Sequence, residues 1–116
     1  MDQISAIDPL LASLQHLDTN LEQSKKYATK AIELEPEQAA YLDTYGWILY
    51  KLGKPKDALK YIEKSLEIDS ENAEILEHLG DVYVSLKMSG KAKEYYNKAL
   101  KLNPENQSLI DKLSEL

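Results

Sequence analysis

The chain contains two histidines, His16 and His78, and no cysteine. The missing thiols exclude disulfides, thiolate metal sites and cysteine nucleophiles at once. Around His78, the acids Glu74, Glu77 and Asp81 follow at three- and four-residue steps. On a helix, that spacing puts three carboxylates and an imidazole on one face, where they could converge on a divalent ion. A single helix rarely completes a coordination sphere, so no resident metal is expected. No Ser/His/Asp grouping, glycine-rich phosphate loop or zinc-ligand spacing is present. The residues able to do chemistry thus predict neither an enzyme nor a cofactor.

At 116 residues, 43% hydrophobic and 29% charged, the chain has the composition of a folded domain or short array. A net charge of -6 repels phosphate backbones and anionic lipid, which argues against nucleic acid and favours a basic or neutral partner. No apolar run is long enough to insert in a membrane, and the stretch MDQISAIDPLLASL lacks the basic residues and cleavage site of a signal peptide. A cytoplasmic location is the default expectation, with the cell envelope open if the chain is part of a larger protein.

A shift of 34 residues maps the sequence onto itself. Tyr27 falls on Tyr61 and Tyr95, Lys30 on Lys64 and Lys98, Leu42 on Leu76, Gly46 on Gly80, Ala58 on Ala92 and Asn72 on Asn106. Each unit holds two helical segments, an A and a B helix, and the whole reads as helices over 9–17, 20–35, 38–52, 55–69, 72–87, 89–102 and 105–115. In the break LGKPKD, Gly53 suits the left-handed position after a helix and Pro55 the first turn of the next. In the corresponding LKMSGKA, Lys87 replaces the glycine and Ser89 can cap, so a differently built turn is expected. Gly46 sits inside the helix YLDTYGWILYKLG at a cost of about 1 kcal/mol relative to alanine. Close approach of paired helices explains it: Gly46 and Gly80 are expected to face Ala58 and Ala92.

These residues resemble the tetratricopeptide repeat (TPR), whose 34-residue pattern runs large residue, Leu-Gly, aromatic, Ala, large residue, Pro. The second unit supplies Leu42, Tyr45, Gly46, Leu49, Ala58 and Ile62, and the third Leu76, Leu79, Gly80, Tyr83, Ala92, Tyr96 and Pro104. The first unit departs from it, with Asp8 and Pro9 at the large residue and Gln15 at the aromatic. Repeats of larger bacterial TPR proteins are similar to the second and third units. The resemblance implies an all-α fold: a right-handed α-solenoid of about three antiparallel helix pairs plus a C-terminal capping helix. It divides a single array over 1–116 into repeats at 5–38, 39–72 and 73–106, with the capping helix at 107–116.

The resemblance further implies a concave groove lined by A helices, whose lining positions fall on His16, then Asp43, Trp47, Tyr50 and Lys51, then Glu74, Glu77 and Asp81. Helical spacing independently puts Asp43, Trp47 and Tyr50 on one stripe, apart from Gly46. An aromatic floor beside an acidic wall suits a peptide with an apolar anchor and Lys or Arg, read by packing, cation-π contact and charge. Two plainer readings stand beside this one: Trp47 fills the seam against the first unit, and the acids form a solvated face. Some TPR proteins clamp a partner's C-terminal carboxylate with Lys, Asn and Arg. Here Pro9, Ser13, Thr44, Glu74 and His78 occupy those places, so that clamp is not expected.

The function expected is a protein-interaction module binding a peptide or protein segment, basic or aromatic, as scaffold or adaptor. The alternative is a structural end piece of a longer array, or a chain that self-associates through its terminal helices. Leu109, Ile110, Leu113 and Leu116 motivate it, since they exceed what a polar cap would carry.

Overall fold

The computed structural model describes residues 21–116. The helix expected over 9–17, with His16, lies outside them. Six helices follow: α1 (Leu21–Leu34), α2 (Ala39–Lys51), α3 (Pro55–Ile68), α4 (Ala73–Ser85), α5 (Ser89–Leu102) and α6 (Gln107–Ser114), with no strand among the described residues. Each packs on the next in sequence, α1 on α2, α2 on α3 and so on to α6, and α2 also touches α4. That order is a helical-repeat solenoid, in which each pair buries its apolar face against its neighbours. The A helices are α2, α4 and α6, and the B helices α1, α3 and α5. None of the described helices is long and apolar enough to cross a membrane.

Small residues in register hold the helices close. Ser24, Ala58 and Ala92 are fully buried, as are Ala31, Ser65 and Ala99, two columns repeated down the B helices. Ser65 uses its hydroxyl to donate to the Ala39 carbonyl at 2.8 Å, tying α3 to the start of α2. Ala28 and Ala31 of α1 pack with Tyr41 and Ile48 of α2. A longer cluster runs from Leu49 through Ile62, Leu79 and Tyr96 to Leu109.

The glycines meet larger neighbours than expected. A Cβ on Gly46 would collide with Ile62 and stand 3.0 Å from the Ala58 carbonyl oxygen. One on Gly80 would strike the ring of Tyr96, its Cζ at 2.9 Å. The residue one turn after the small one on each B helix fills the gap that the glycine leaves.

The two intra-repeat turns are built alike, which corrects the expectation for Lys87. Gly53 and Lys87 both take positive φ, 82° and 62°. Gly53 N–H donates to the Tyr50 carbonyl and Lys54 N–H to Leu49, matched by Lys87 to Val84 and Met88 to Tyr83, all at 2.9–3.0 Å. The paired carbonyl bonds force the left-handed residue whatever its side chain. Ser89 begins α5, and the cap residue is Met88, which makes no side-chain hydrogen bond. Between repeats, Asn72 accepts from the N–H groups of Glu74 and Ile75, and Asn106 from that of Leu109. Gln38, in the same place before α2, makes no such bond.

Candidate functional site

The face shared by α2 and α4 is organised around His78. Asp43 is only 6% exposed and His78 8%. Nδ1 of His78 lies 2.9 and 3.0 Å from the two carboxylate oxygens of Asp43. An ionised carboxylate only accepts, so Nδ1 carries the hydrogen and donates. Burial works against the imidazolium, but the bond to Asp43 and the charges of Asp43, Glu74 and Asp81 outweigh it and raise the His78 pKa above its ordinary value. The His78 ring stacks on Trp47, centroids 4.1 Å apart. Trp47 also meets Tyr50 at 4.9 Å, and Lys51 Nζ stands 5.5 Å from the indole centroid. Trp47 and Tyr50 are half-buried and Lys51 and Glu74 exposed.

A second polar group lies one repeat further on. Lys112 of α6 reaches back to Glu77 at 2.7 Å and to Asp81 at 3.0 Å. Its Nζ also sits 5.7 Å from the Tyr96 ring centroid. Tyr96 donates its hydroxyl hydrogen to Asp81. Burial and this bond push the Tyr96 hydroxyl pKa well up, and burial, with the charge of Asp81, raises that of Tyr50. Burial opposes the charge on Lys112, yet the bonds to Glu77 and Asp81 prevail and raise its pKa.

The two groups are one device used twice. Asp43 to His78 and Glu77 to Lys112 each span 35 residues, one repeat plus one position. Each rung joins an acid on one A helix to a base on the next. Sequence reasoning placed Asp43, Glu77 and Asp81 in the groove as charges open to a partner, and it assigned no role to Lys112. The signal was present, since a shift of 34 carries Asp43 onto Glu77 and His78 onto Lys112. The rungs also separate the four residues whose spacing admits an ion: His78 faces Asp43, whereas Glu77 and Asp81 face Lys112. Among the described residues no three His, Asp or Glu side chains are grouped to hold one. Beside Asp43, a cleft of about 190 Å³ opens between the starts of α2 and α4, lined by Ala40, Thr44, Asp69, Asn72 and Glu74.

A solenoid of paired helices, with aromatic rings and charged rungs on one face of its A helices, defines a helical-repeat protein. The Tetratricopeptide repeat family matches residues 10–38, 39–72 and 73–106, and the chain belongs to that family. No curated protein sequence matches it. Among solved structures it is similar to the first TPR of Spaghetti (RPAP3) bound to the HSP90 peptide SRMEEVD, with TM-score 0.87 and 14% identity over 96% of this chain and 87% of that one. The second TPR domain of human RPAP3, in complex with the HSP70 peptide SGPTIEEVD, superposes with TM-score 0.84 and 18% identity over 97% and 93%. MamA gives 0.83 and 16%, with 94% of this chain covering 63% of that one, so this chain spans less than two thirds of the MamA chain. At these identities the likeness is one of fold.

Proposed function

We propose that the chain is a protein-interaction module that takes a peptide or protein segment on the A-helix face, acting as scaffold or adaptor. The observation that carries this reading is the stack of Tyr50, Trp47 and His78. Three rings are fixed against one another on an A-helix surface, with Trp47 left half-buried. A preordered aromatic platform loses little entropy when a partner lands on it, and Trp and Tyr are the residues most often dominant in such contacts. Of the basic or aromatic segments expected as partners, the platform favours the aromatic ones. Two RPAP3 domains of the same fold are described with chaperone peptides. Those peptides are acidic, and the net charge of -6 together with Thr44, Glu74 and His78 at the clamp positions argues against a similar ligand here. The reading requires no catalysis.

The test is selection of binders from a displayed random-peptide library on the native protein, with Trp47→Ala as control. Peptides whose binding requires Trp47 support the groove; a library yielding none removes its basis. A second reading, end-to-end association, draws on Ile110 and Leu116, 40% and 37% exposed on or beyond α6. Leu109 and Leu113, which suggested the same, pack against the core instead. Light scattering across a concentration series separates the two readings, because only association raises the mass.

A further inference from the structure

The acidic wall of the groove is already spoken for. Resting on the interaction-module reading above, we infer that Lys112 sets the specificity of this face: by occupying the Glu77–Asp81 pair it makes the groove select partners by aromatic and aliphatic packing and not by charge. Three of the four groove acids have bases within the chain, Asp43 through His78 and Glu77 with Asp81 through Lys112. A partner's lysine could use Glu77 and Asp81 only by displacing Lys112, which exchanges one ion pair for another. It would also have to supply a replacement for the position of Nζ near the Tyr96 ring. Glu74 is the one groove acid with no base assigned among the described residues, and it is exposed.

What the face still offers is apolar. Trp47 and Tyr50 are half-buried, and Val84, one repeat on from Tyr50 in the same register, is 42% exposed. The partner that fits is an amphipathic segment, near neutral, placing large apolar or aromatic side chains over Trp47, Tyr50 and Val84. Such contacts are insensitive to salt, whereas exposed ion pairs are screened.

Two measurements test this. Peptides selected on the wild-type protein are titrated at ionic strengths from about 0.05 to 0.5 M, and hexalysine amide is titrated against wild type and Lys112→Met, whose side chain keeps its apolar stem. The expected peptides carry aromatic or aliphatic anchors, require Trp47 and change in Kd by less than about threefold over that range. Hexalysine is expected to bind the folded Lys112→Met variant at least about tenfold more tightly than wild type, with the gain lost at high salt. Trp47-dependent peptides rich in Lys or Arg, released by salt, would overturn the inference and leave the interaction module standing. No gain of hexalysine binding by a folded Lys112→Met would overturn the role given to Lys112. Should that variant fail to fold, Lys112→Gln, which removes the charge and keeps a polar end, takes its place in the hexalysine titration with the same expected and overturning results. Absence of any Trp47-dependent peptide would instead remove the module reading itself.

Discussion

His78 is gripped by both carboxylate oxygens of Asp43 at 2.9 and 3.0 Å, and the flat of its ring lies on Trp47. An inter-repeat ion pair and the aromatic stack on the A helices are therefore one structure. The folded state raises the His78 pKa above 6.5, so folding is favoured by its proton. The pair's contribution is fully present below about pH 6.5 and is lost as pH rises through the higher folded-state value. The melting temperature is expected to fall across that window in wild type, and the dependence to flatten in His78→Gln, which separates it from the titration of His16. Trp47 is the only tryptophan, so its fluorescence should follow the same transition. His78→Ala at neutral pH strands a buried carboxylate and should cost about 3–5 kcal/mol in a denaturant melt.

The helices and their pairing were legible because they depend on local signals: the three- and four-residue apolar steps, Gly53 after one helix and Pro55 at the start of the next. The close approach at Gly46 was legible too, since nothing else accounts for a glycine mid-helix. The ring of Tyr96 against its counterpart Gly80 was not foreseen, because a residue one turn beyond the small one can also close such a gap. His78 was weighed as a metal ligand and set aside, and Lys112 was given no role. Their partners lie 35 residues away, and only the side-by-side arrangement of α2, α4 and α6 brings them together.

Gly80→Ala gains about 1 kcal/mol in helix propensity but drives a methyl into the Tyr96 ring, for which overpacking costs of about 1–3 kcal/mol are usual. A ring cannot bend aside as a flexible chain end can. The net expectation is a loss of up to about 2 kcal/mol, partly recovered on shrinking the partner in Gly80→Ala/Tyr96→Leu. Gly90, where an added Cβ would meet nothing within 4 Å, supplies the control: Gly90→Ala should be neutral or gain about 0.5 kcal/mol. Equal losses at Gly80 and Gly90 would contradict the packing described.

The two turns make opposite predictions. Lys87 holds a φ of 62°, strained for a residue with a Cβ, while Gly53 holds 82° at no such cost. Lys87→Gly should stabilise the chain by about 0.5–1 kcal/mol, and Gly53→Ala should destabilise it by about 1 kcal/mol. Denaturant midpoints of the two variants, moving to opposite sides of wild type, would check both. A common direction would mean that side-chain contacts, and not backbone conformation, dominate there.

The starts of the A helices differ in one atom group. Asn72 accepts two N–H groups at 3.0 and 3.1 Å and Asn106 one at 3.2 Å, while Gln38, longer by a methylene, accepts none. A residue before α2 with extended backbone, φ -93° and ψ 111°, already has the geometry a capping asparagine requires. Gln38→Asn should therefore gain about 0.5–1 kcal/mol, and Asn72→Ala lose about 0.5–2 kcal/mol. Hydrogen exchange separates these effects from global stability. Protection should rise at Ala40 and Tyr41 in the first variant and fall at Glu74 and Ile75 in the second, because those are the N–H groups the cap side chain covers. If Gln38→Asn leaves the first turn of α2 exchanging as before, the missing bond is not what weakens that helix start.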